Sequence, residues 1–495
     1  MKWLKLGIFF LILFIFFYLR LTPIINQTVP YTFDQGRDFL KAEEIIRDKN
    51  FTFIGPTTGI QGVHHGAWWY YLLSLFYLIF NGWPVGFYVG LFAFSTVVLF
   101  WFFFFVKKEL GHQSSLLFLL PVAAGSFFVR LGFFASNNTL SPLFVLLFIY
   151  SVYQFFKNQS SKYLFFMSLS LGFIFEFEVA FGIFIITSFF IASLFFKLFR
   201  KSYLNLKRLA LFLTGFVAPI FPRLLFELKN NFIQTKAFLN FYAHPTSTNK
   251  LSLLSTLTER AQLFIKYYFQ LIPQENLYLG IFVFLFFIYL LIIGMKNIKR
   301  DKLDPLLFFS LLISIIFLVS LVSRNNFFWD YYLDGVQFII LFILILIFSL
   351  NNKLKLLKNS FLGILFFYII ASFLMNQSYK NVPLIGLRAD NKIVNYFIEK
   401  TNNKYYCLKI YTPPVIPYTY YYLFSYYANH QKLKYPRQEF TNNQCYFIFD
   451  KEPYVFRVEK WRKENIPQNA LLDKTIRYKN GTSIELWRIF NPNMP

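Results

Sequence analysis

Blocks of apolar residues about 20 long recur along this chain as far as residue 374. A helix of about 20 residues crosses the hydrocarbon core of a bilayer. Only 15% of the residues are charged, whereas a soluble protein averages roughly 25%. The sequence therefore predicts an α-helical polytopic membrane protein with about 11 spanning helices. We place these spans at residues 5–22, 85–106, 114–132, 139–156, 161–175, 179–196, 207–226, 278–295, 304–323, 331–350 and 356–374.

Lysine and arginine are concentrated in the links on one side of these spans. Lys2 and Lys5 precede the first span, Lys107–Lys108 follow the second, and residues 197–208 are also basic. The short links on the other side hold only Arg324. Because basic links stay in the cytoplasm, we expect the N-terminus inside a plasma membrane and the C-terminus outside it.

The net charge of +25 follows from this topology and from contact with anionic membrane lipids, which are expected partners. A nucleic-acid-binding protein would need a basic stripe on a soluble surface, and the sequence has none. We therefore expect no nucleic-acid partner.

The hydropathy falls from about residue 376, and the pattern changes. We expect residues 1–375 to form a transmembrane domain and residues 376–495 a small extracytoplasmic α/β domain. Cys407 and Cys445 both fall in the second domain and form either one disulfide or two separate thiols. Helices are predicted at 389–401 and 417–431, and strands at 404–411, 443–449, 473–479 and 483–490.

The first outer loop, residues 24–84, carries an acidic motif, FDQGRD at 33–38. Asp34 can cap a helix over 35–48 that lies along the membrane surface. Residues 67–82 are apolar but short, and if they crossed, Lys107–Lys108 would lie outside. We therefore expect them to form an interfacial helix. The surface helix would bury an apolar stripe made by Phe39, Ala42, Ile45 and Ile46.

The charged residues that enter or abut the predicted spans collect at their outer ends. Charges at mid-depth are costly, and an ion-coupled transporter would be expected to hold charged or broken helices there. An outer polar face above apolar helices instead favours chemistry on a lipid-linked substrate. The residues concerned are Arg130, Glu176, Glu178, Arg223, Glu227, Arg324, Asp330 and Asp334, together with Asp34, Arg37, Asp38, His64 and His65 of the first loop.

In the order of these features, the chain resembles the GT-C class of integral-membrane glycosyltransferases. The most similar groups are the protein mannosyltransferase-like family 39 and the lipid A aminoarabinose transferase-like family. The resemblance covers most of residues 1–375. It rests on FDQGRD (33–38), HHGAWWYYL (64–72) and PRLLFELKNNF (222–232).

The resemblance implies a polyprenyl-phosphate sugar as donor and a reaction at the outer face. Asp34 then matches the loop aspartate that acts as base or positions the acceptor hydroxyl, and Arg37 matches a nearby arginine. His65 takes the place of a lysine thought to meet phosphate. Where the aminoarabinose transferases have a second acid, this chain has Asn137 and Asn138, so that Glu176 or Glu178 would substitute or one carboxylate would suffice.

Each candidate also has a purely structural interpretation. Asp34 could be only a helix cap, and Asp38 could serve an ion pair along its helix. Arg37, Arg130 and Arg223 are candidate phosphate ligands, or they extend to lipid headgroups. His64 and His65 could bind phosphate or, with Asp34 and Glu176, a divalent metal, which we do not favour because no third ligand has a fixed spacing. Asp38, His64, Glu176, Glu178 and Asn138 are further candidates for binding the sugar or the acceptor.

The predicted function is transfer of a sugar from a polyprenyl-phosphate donor to an envelope acceptor, with Asp34 as base and with inversion at the sugar. The acceptor could be a lipid, a protein or a polysaccharide. The alternative from another class is a lipid-linked glycan transporter or a non-catalytic envelope scaffold.

Overall fold

The structure, a computed structural model, describes residues 2–243, 251–273, 277–297, 300–323, 328–375, 382–413 and 416–489. These residues are mostly helical, as the apolar blocks predict, because a helix satisfies its own backbone hydrogen bonds inside a bilayer. Arg324 lies outside the described residues.

Up to residue 243 the chain forms a succession of helices with one small hairpin. The helices are α1 (Lys2–Ile25), α2 (Phe33–Arg47), α3 (Trp68–Phe80), α4 (Pro84–Leu110), α5 (His112–Ala124), α6 (Ser126–Arg130), α7 (Leu140–Asn158), α8 (Ser161–Phe177), α9 (Val179–Ser193), α10 (Lys197–Tyr203), α11 (Leu206–Lys229) and α12 (Ile233–Ala243). The hairpin pairs β1 (Ile54–Thr57) with β2 (His64–Gly66). The sequence analysis did not predict this hairpin.

Helices continue as far as Met375, and an α/β arrangement follows. The remaining helices are α13 (Leu253–Phe269), α14 (Leu277–Asn297), α15 (Arg300–Ser320), α16 (Val336–Leu350), α17 (Lys355–Met375), α18 (Leu387–Thr401), α19 (Tyr418–Asn429) and α20 (Val455–Asn465). The strands are β3 (Leu408–Tyr411), β4 (Gln444–Phe449), β5 (Ala470–Arg477) and β6 (Ser483–Ile489). After residue 376, α20 was the one helix that the sequence analysis missed among the described residues, because none of its side chains is buried and it therefore has no apolar stripe. Earlier in the chain, α10, α12 and α13 were also not predicted.

Seven of the described helices are long and apolar enough to cross a membrane, and there are eight such spans if the bent pair α9 and α10 counts as one. The protein is therefore a multi-pass membrane protein. Each of the eleven predicted spans contains a helix, although the span 114–132 is divided between α5 and α6. Three of them, α5, α8 and α14, fall short of a full apolar span in the described residues. Helix α3 has 13 residues, about 20 Å at 1.5 Å per residue, which agrees with a helix that does not span.

The predicted span 114–132 is broken at Gly125, where α5 ends and α6 begins. Pro121 lies inside α5 and removes one backbone donor from it. The carbonyls left without helical partners are bound by Arg20 of α1, which is fully buried. An unbroken helix was therefore the wrong prediction. The guanidinium donates to the carbonyls of Val122 at 2.6 Å, Ala123 at 3.1 Å and Phe128 at 2.9 Å.

The chain divides into two compact units. The first unit comprises residues 1–21, 51–69 and 91–377, and the second comprises 22–50, 70–90 and 378–495. The second unit thus combines much of the predicted first outer loop with the predicted C-terminal domain.

The C-terminal part of the second unit is built on a four-stranded sheet in the order β3-β4-β6-β5. β3 and β4 are parallel, and the other two pairings are antiparallel. Cys407, just before β3, forms a disulfide with Cys445 of β4. Both cysteines are buried against aromatic side chains, which include Phe447 and Trp461. Of the two arrangements left open by the sequence, the structure has the disulfide.

Helix α2 packs against α19 within the second unit. Gly36 lies where the two helices are in closest contact, because a Cβ there would overlap the backbone of Tyr418 and Thr419. At the other end of α2, the buried Glu43 accepts hydrogen bonds from Ser425 and Asn429. Helix α19 therefore holds α2, which carries Asp34, along most of its length.

Candidate active site

Asp34 lies in the first turn of α2, and its side chain is 60% exposed. The N-cap is Thr32, whose backbone N–H and hydroxyl both donate to the side chain of Gln35 at 2.9 and 2.7 Å. The expectation that Asp34 caps this helix was therefore wrong by two residues. A carboxylate in the first turn is still favoured by the helix dipole, and the Asp34 carboxylate is accessible to solvent.

Arg37 joins two carboxylates. One Nη atom lies 3.0 Å from Asp34, while Nε and the second Nη lie 2.9 and 2.8 Å from Asp38. Asp38 is almost fully buried, and the adjacent Arg37 is one of its partners. Burial lowers the pKa of Arg37, but Asp38, Tyr70 and Asp34 raise it by a larger amount. The pKa of Arg37 therefore lies above its ordinary value. Arg37 stays charged and fixes the direction of the Asp34 carboxylate.

Aromatic packing holds this part of α2 in place. Phe39 stacks on Phe87 with ring centroids 4.0 Å apart, and the hydroxyl of Tyr31 donates to the carbonyl of Thr419 at 2.9 Å. Burial raises the pKa of Tyr70, as does the charge on Asp38. Tyr70 therefore stays protonated beside Arg37. The sequence indicated only an interfacial helix over residues 67–82 and gave no sign of this position of Tyr70. Trp69 and Tyr70 are both buried.

A second cluster, in the first unit, is formed by Glu176, Arg223 and the β2 strand. Arg223, on α11, donates from Nε to Glu176 at 2.6 Å and from Nη1 to the carbonyl of His64 at 2.7 Å. Glu176 is fully buried, and Arg223 is 8% exposed. A Cβ on Gly66 would overlap the Glu176 carboxylate, so a glycine is required where β2 meets α8.

Two atoms of this ion pair have no hydrogen-bond partner among the described residues. They are Nη2 of Arg223 and Oε2 of Glu176, and both are buried. A buried guanidinium N–H without an acceptor costs about 1–3 kcal/mol or more. An anionic ligand at Nη2 would recover that free energy.

The ends of the neighbouring helices fix this cluster. The carboxylate of Glu227 accepts from the backbone N–H groups of Gln234 and Thr235, both at 3.1 Å, and so caps α12. The side-chain oxygen of Gln234 accepts from the backbone N–H of His64 at 2.8 Å. Glu227 therefore anchors the C-terminal end of α11. Nothing in the sequence pointed to Gln234.

His65 is buried, and His64 is half-buried in the same strand. Of the predicted site residues, the structure thus brings His64, His65, Glu176 and Arg223 together in the first unit. It brings Asp34, Arg37 and Asp38 together in the second. Within the described part of the chain, no group of three or more His, Cys, Asp or Glu side chains could hold a metal ion.

Glu178 and Arg130 belong to a further polar cluster of the first unit. Glu178 is buried between α8 and α9 and caps α9 by accepting from the N–H of Ala180 at 3.3 Å. Arg130 pairs with Asp334 at 2.5 Å. Asp334 was counted among the outer charges, but no pattern in the sequence indicated its partner. Asn138 is half-buried in the turn before α7, beside Asn137, which donates to the carbonyl of Phe177 at 2.7 Å.

No family model matches the sequence, and no curated protein matches it. Its fold, however, matches that of ArnT from Cupriavidus metallidurans, solved bound to undecaprenyl phosphate and in the apo state. The TM-scores are 0.61 and 0.60 at 11% sequence identity, over 98% of this chain and 98% of each ArnT chain. The chain has the ArnT fold.

A weaker match is the archaeal oligosaccharyltransferase AglB from Archaeoglobus fulgidus, with a TM-score of 0.44 at 12% identity over 100% of this chain and 75% of that chain. The ArnT fold confirms the predicted fold class, a polytopic helical membrane protein with a small C-terminal α/β part. At 11% sequence identity, this likeness shows the fold alone.

Proposed function

We propose that this protein is a glycosyltransferase that moves a sugar from a polyprenyl-phosphate donor to an envelope acceptor at the outer face of the plasma membrane. The ArnT fold supports the proposal, since one of the matching ArnT structures was solved with undecaprenyl phosphate. The observation that carries it in this chain is Arg223. It is a buried cation at the end of an apolar helix, and one of its N–H groups has no acceptor among the described residues.

We assign binding of the donor phosphate to Arg223, together with His65. Arg37 and Arg130 were the other candidates, but Arg37 already serves two carboxylates and Arg130 is paired with Asp334. Their guanidinium charges are therefore largely compensated. Arg223 has one carboxylate partner and retains a donor for a phosphate oxygen. Arg37 has the role of orienting Asp34.

We assign the role of general base to Asp34. The acceptor oxygen attacks the anomeric carbon while the bond from that carbon to the phosphate oxygen breaks. The hydroxyl proton passes to Asp34, and the lipid phosphate leaves as an anion that Arg223 stabilises. The expected transition state resembles an oxocarbenium ion, and a single displacement inverts the anomeric centre.

The disulfide supports placement of the C-terminal domain outside the cytoplasm. Cys407 and Cys445 are bonded in the structure, and disulfides persist in oxidising compartments but are rare in the cytosol. The basic residues Lys107 and Lys108, at the end of α4, support the same orientation independently.

Replacement of Asp34 by asparagine tests the proposal. In cells that lack the native protein, the Asp34→Asn variant should fail to restore the envelope glycan that is lost on deletion, while it reaches the membrane at the normal level. The expected loss of activity is at least about 100-fold, the usual lower contribution of a general base. Mass spectrometry of envelope glycans is the measurement.

Asp48→Asn is the matched control, because Asp48 is an exposed acid at the other end of α2. It should restore the glycan fully. Full restoration by Asp34→Asn would reject the assignment of the base. If the deletion strain has the same glycosidic bonds as the wild type, the proposal of an enzyme is rejected. The transporter or scaffold then remains as the interpretation.

A further inference from the structure

A row of aromatic side chains begins beside Asp34 and continues over the second unit. Phe33 precedes Asp34, and its ring meets that of Tyr418 at 4.8 Å in an edge-to-face arrangement. Tyr421 follows one turn later on the same face of α19. All three rings are half-buried, so each presents part of its surface to solvent.

The row continues from α19 into the loop that follows it. The pKa of Tyr421 is raised by partial burial and by the neighbouring Tyr418. In the same way, partial burial, Tyr421 and Glu43 raise the pKa of Tyr435 to about 12. The phenols therefore remain protonated donors at physiological pH. We name these residues, together with Tyr405, the tyrosine track: Phe33, Tyr418, Tyr421, Tyr435 and Tyr405.

The far end of the tyrosine track is cationic. Tyr405 is 54% exposed, and the guanidinium of Arg437 lies 3.9 Å above its ring. Lys434 lies 5.9 Å from the same ring. This arrangement is held by the backbone, since the N–H of Arg437 donates to the carbonyl of Tyr406 at 2.9 Å, next to the disulfide. Tyr435, between these cations in sequence, is 47% exposed.

The chemistry of the track suits a sugar chain. A tyrosine ring offers an apolar face to the C–H groups of a sugar and a hydroxyl to its oxygens, and it has only two side-chain torsions to restrict. Arg437 and Lys434 add attraction for carboxylate or phosphate groups.

We propose that the tyrosine track binds an anionic carbohydrate chain and directs its end towards Asp34. The role of that chain as the acceptor rests on the proposed function; the binding itself does not. The track therefore narrows the acceptor class from lipid, protein or polysaccharide to a glycan that carries acidic groups.

Binding of labelled hexagalacturonate to the purified full-length protein, in nanodiscs of uncharged lipid, tests this proposal. The wild-type protein should bind this acidic oligosaccharide, and it should bind neutral maltohexaose more weakly. The double variant Tyr405→Ala/Tyr435→Ala should weaken hexagalacturonate binding about tenfold, from the loss of two stacking contacts. The corresponding phenylalanine variant should retain most of the binding.

Tyr454→Ala is the matched control. Tyr454 is 53% exposed and has Arg457 4.6 Å above its ring, yet it is not part of the track. Its replacement should leave binding unchanged. If the double alanine variant does not fold, Arg437→Gln takes its place, since Arg437 is exposed, and it should weaken binding of hexagalacturonate but not of maltohexaose.

Equal binding by the wild-type protein and the track variants would overturn the proposal, as would the absence of wild-type binding. Polyaspartate and phosphatidylglycerol vesicles are tested as competitors. If either one competes with hexagalacturonate and is weakened by the same variants, the proposal is also overturned, because charge alone or a lipid surface would then explain the site. The assay contains no sugar donor. Failure of the Asp34→Asn test therefore leaves this result standing, and the reverse also holds.

Discussion

The ion pair between Arg223 and Glu176 is costly for the protein to maintain. Both groups are buried, and desolvation of two charges can exceed the attraction between them. An apolar pair of similar volume would fill the same space at lower cost. The protein nevertheless retains this buried pair, and two of its atoms lack hydrogen-bond partners among the described residues. Both facts are consistent with a site that is completed by a charged ligand.

Neutralising Glu176 should strengthen the binding of a lipid phosphate. In the Glu176→Gln variant the amide oxygen can still accept from Arg223, but the arginine loses its counter-ion, and a phosphate then supplies the missing charge. We expect the purified variant to be about 3–5 kcal/mol less stable without lipid. Undecaprenyl phosphate should then raise its melting temperature more than that of the wild type, corresponding to about tenfold tighter binding.

Thermal unfolding in detergent, with increasing undecaprenyl phosphate, measures this effect. Undecaprenol, which has no phosphate, should shift neither protein. Glu227→Gln is the control, because Glu227 is a neighbouring buried acid that caps α12 rather than facing Arg223. Equal stabilisation of the wild type, Glu176→Gln and Arg223→Gln by the lipid would place the phosphate elsewhere.

Among individual residues, the sequence indicated the cluster of Asp34, Arg37 and Asp38 but not the ion pair between Glu176 and Arg223. Asp34, Arg37 and Asp38 are spaced three and one residues apart, so helix periodicity alone brings them together. Glu176 and Arg223 are 47 residues apart and lie on different helices. Their meeting depends on how α8 packs against α11, which hydrophobic patterning does not determine.

At the scale of elements, the crossing of α2 and α19 is the contact that positions Asp34. A helix that lies on a surface has no position of its own, because most helical stability comes from packing of one face. Here that face is fixed at one end by Gly36 against Thr419 and at the other by Glu43. The C-terminal domain therefore supports the first outer loop as well as contributing a surface of its own.

Gly36→Ala should disturb this crossing. The new methyl group would overlap backbone atoms of α19, which cannot move aside as a flexible side chain can. We expect a loss of about 1–3 kcal/mol in the stability of the second unit, and a fall in glycan transfer because Asp34 shifts with its helix. Thermal unfolding and restoration of the envelope glycan are the two measurements.

Gly363→Ala provides the comparison. Gly363 also lies inside a helix, α17, but a Cβ there would meet nothing within 4 Å. Alanine is the better helix former by about 1 kcal/mol, so this variant should be as stable as the wild type or more so. Loss of stability in both variants to the same degree would mean that the α2–α19 contact has no special role.

For the whole molecule, the sequence predicted most of the helices and strands but not their grouping. Apolar blocks give helices because a bilayer leaves the backbone few alternatives. The break at Gly125 was missed, because it is stabilised by Arg20, which lies about a hundred residues away. The division into two units was missed for the same reason. It unites residues 22–50 with residues beyond 378, and pairings at such separation leave no local trace.

The orientation of the whole chain is the remaining part of the proposal, and cysteine labelling can determine it. The chain has two cysteines, and both are in the disulfide, so an introduced cysteine would be the only reactive thiol. Lys460 on α20 and Lys108 at the end of α4 are both exposed and can be replaced without loss of a buried contact. They lie on opposite sides of the membrane if the proposal is correct.

A membrane-impermeant maleimide should label Lys460→Cys in intact cells and Lys108→Cys only after the membrane is permeabilised. The reason is physical: the basic residues retain the end of α4 on the cytoplasmic side, while the disulfide needs an oxidising compartment. If Lys108→Cys is labelled in intact cells and Lys460→Cys is protected, the topology is the reverse of the one proposed. Asp34 would then face the cytoplasm, and an outward-facing sugar donor could not reach it.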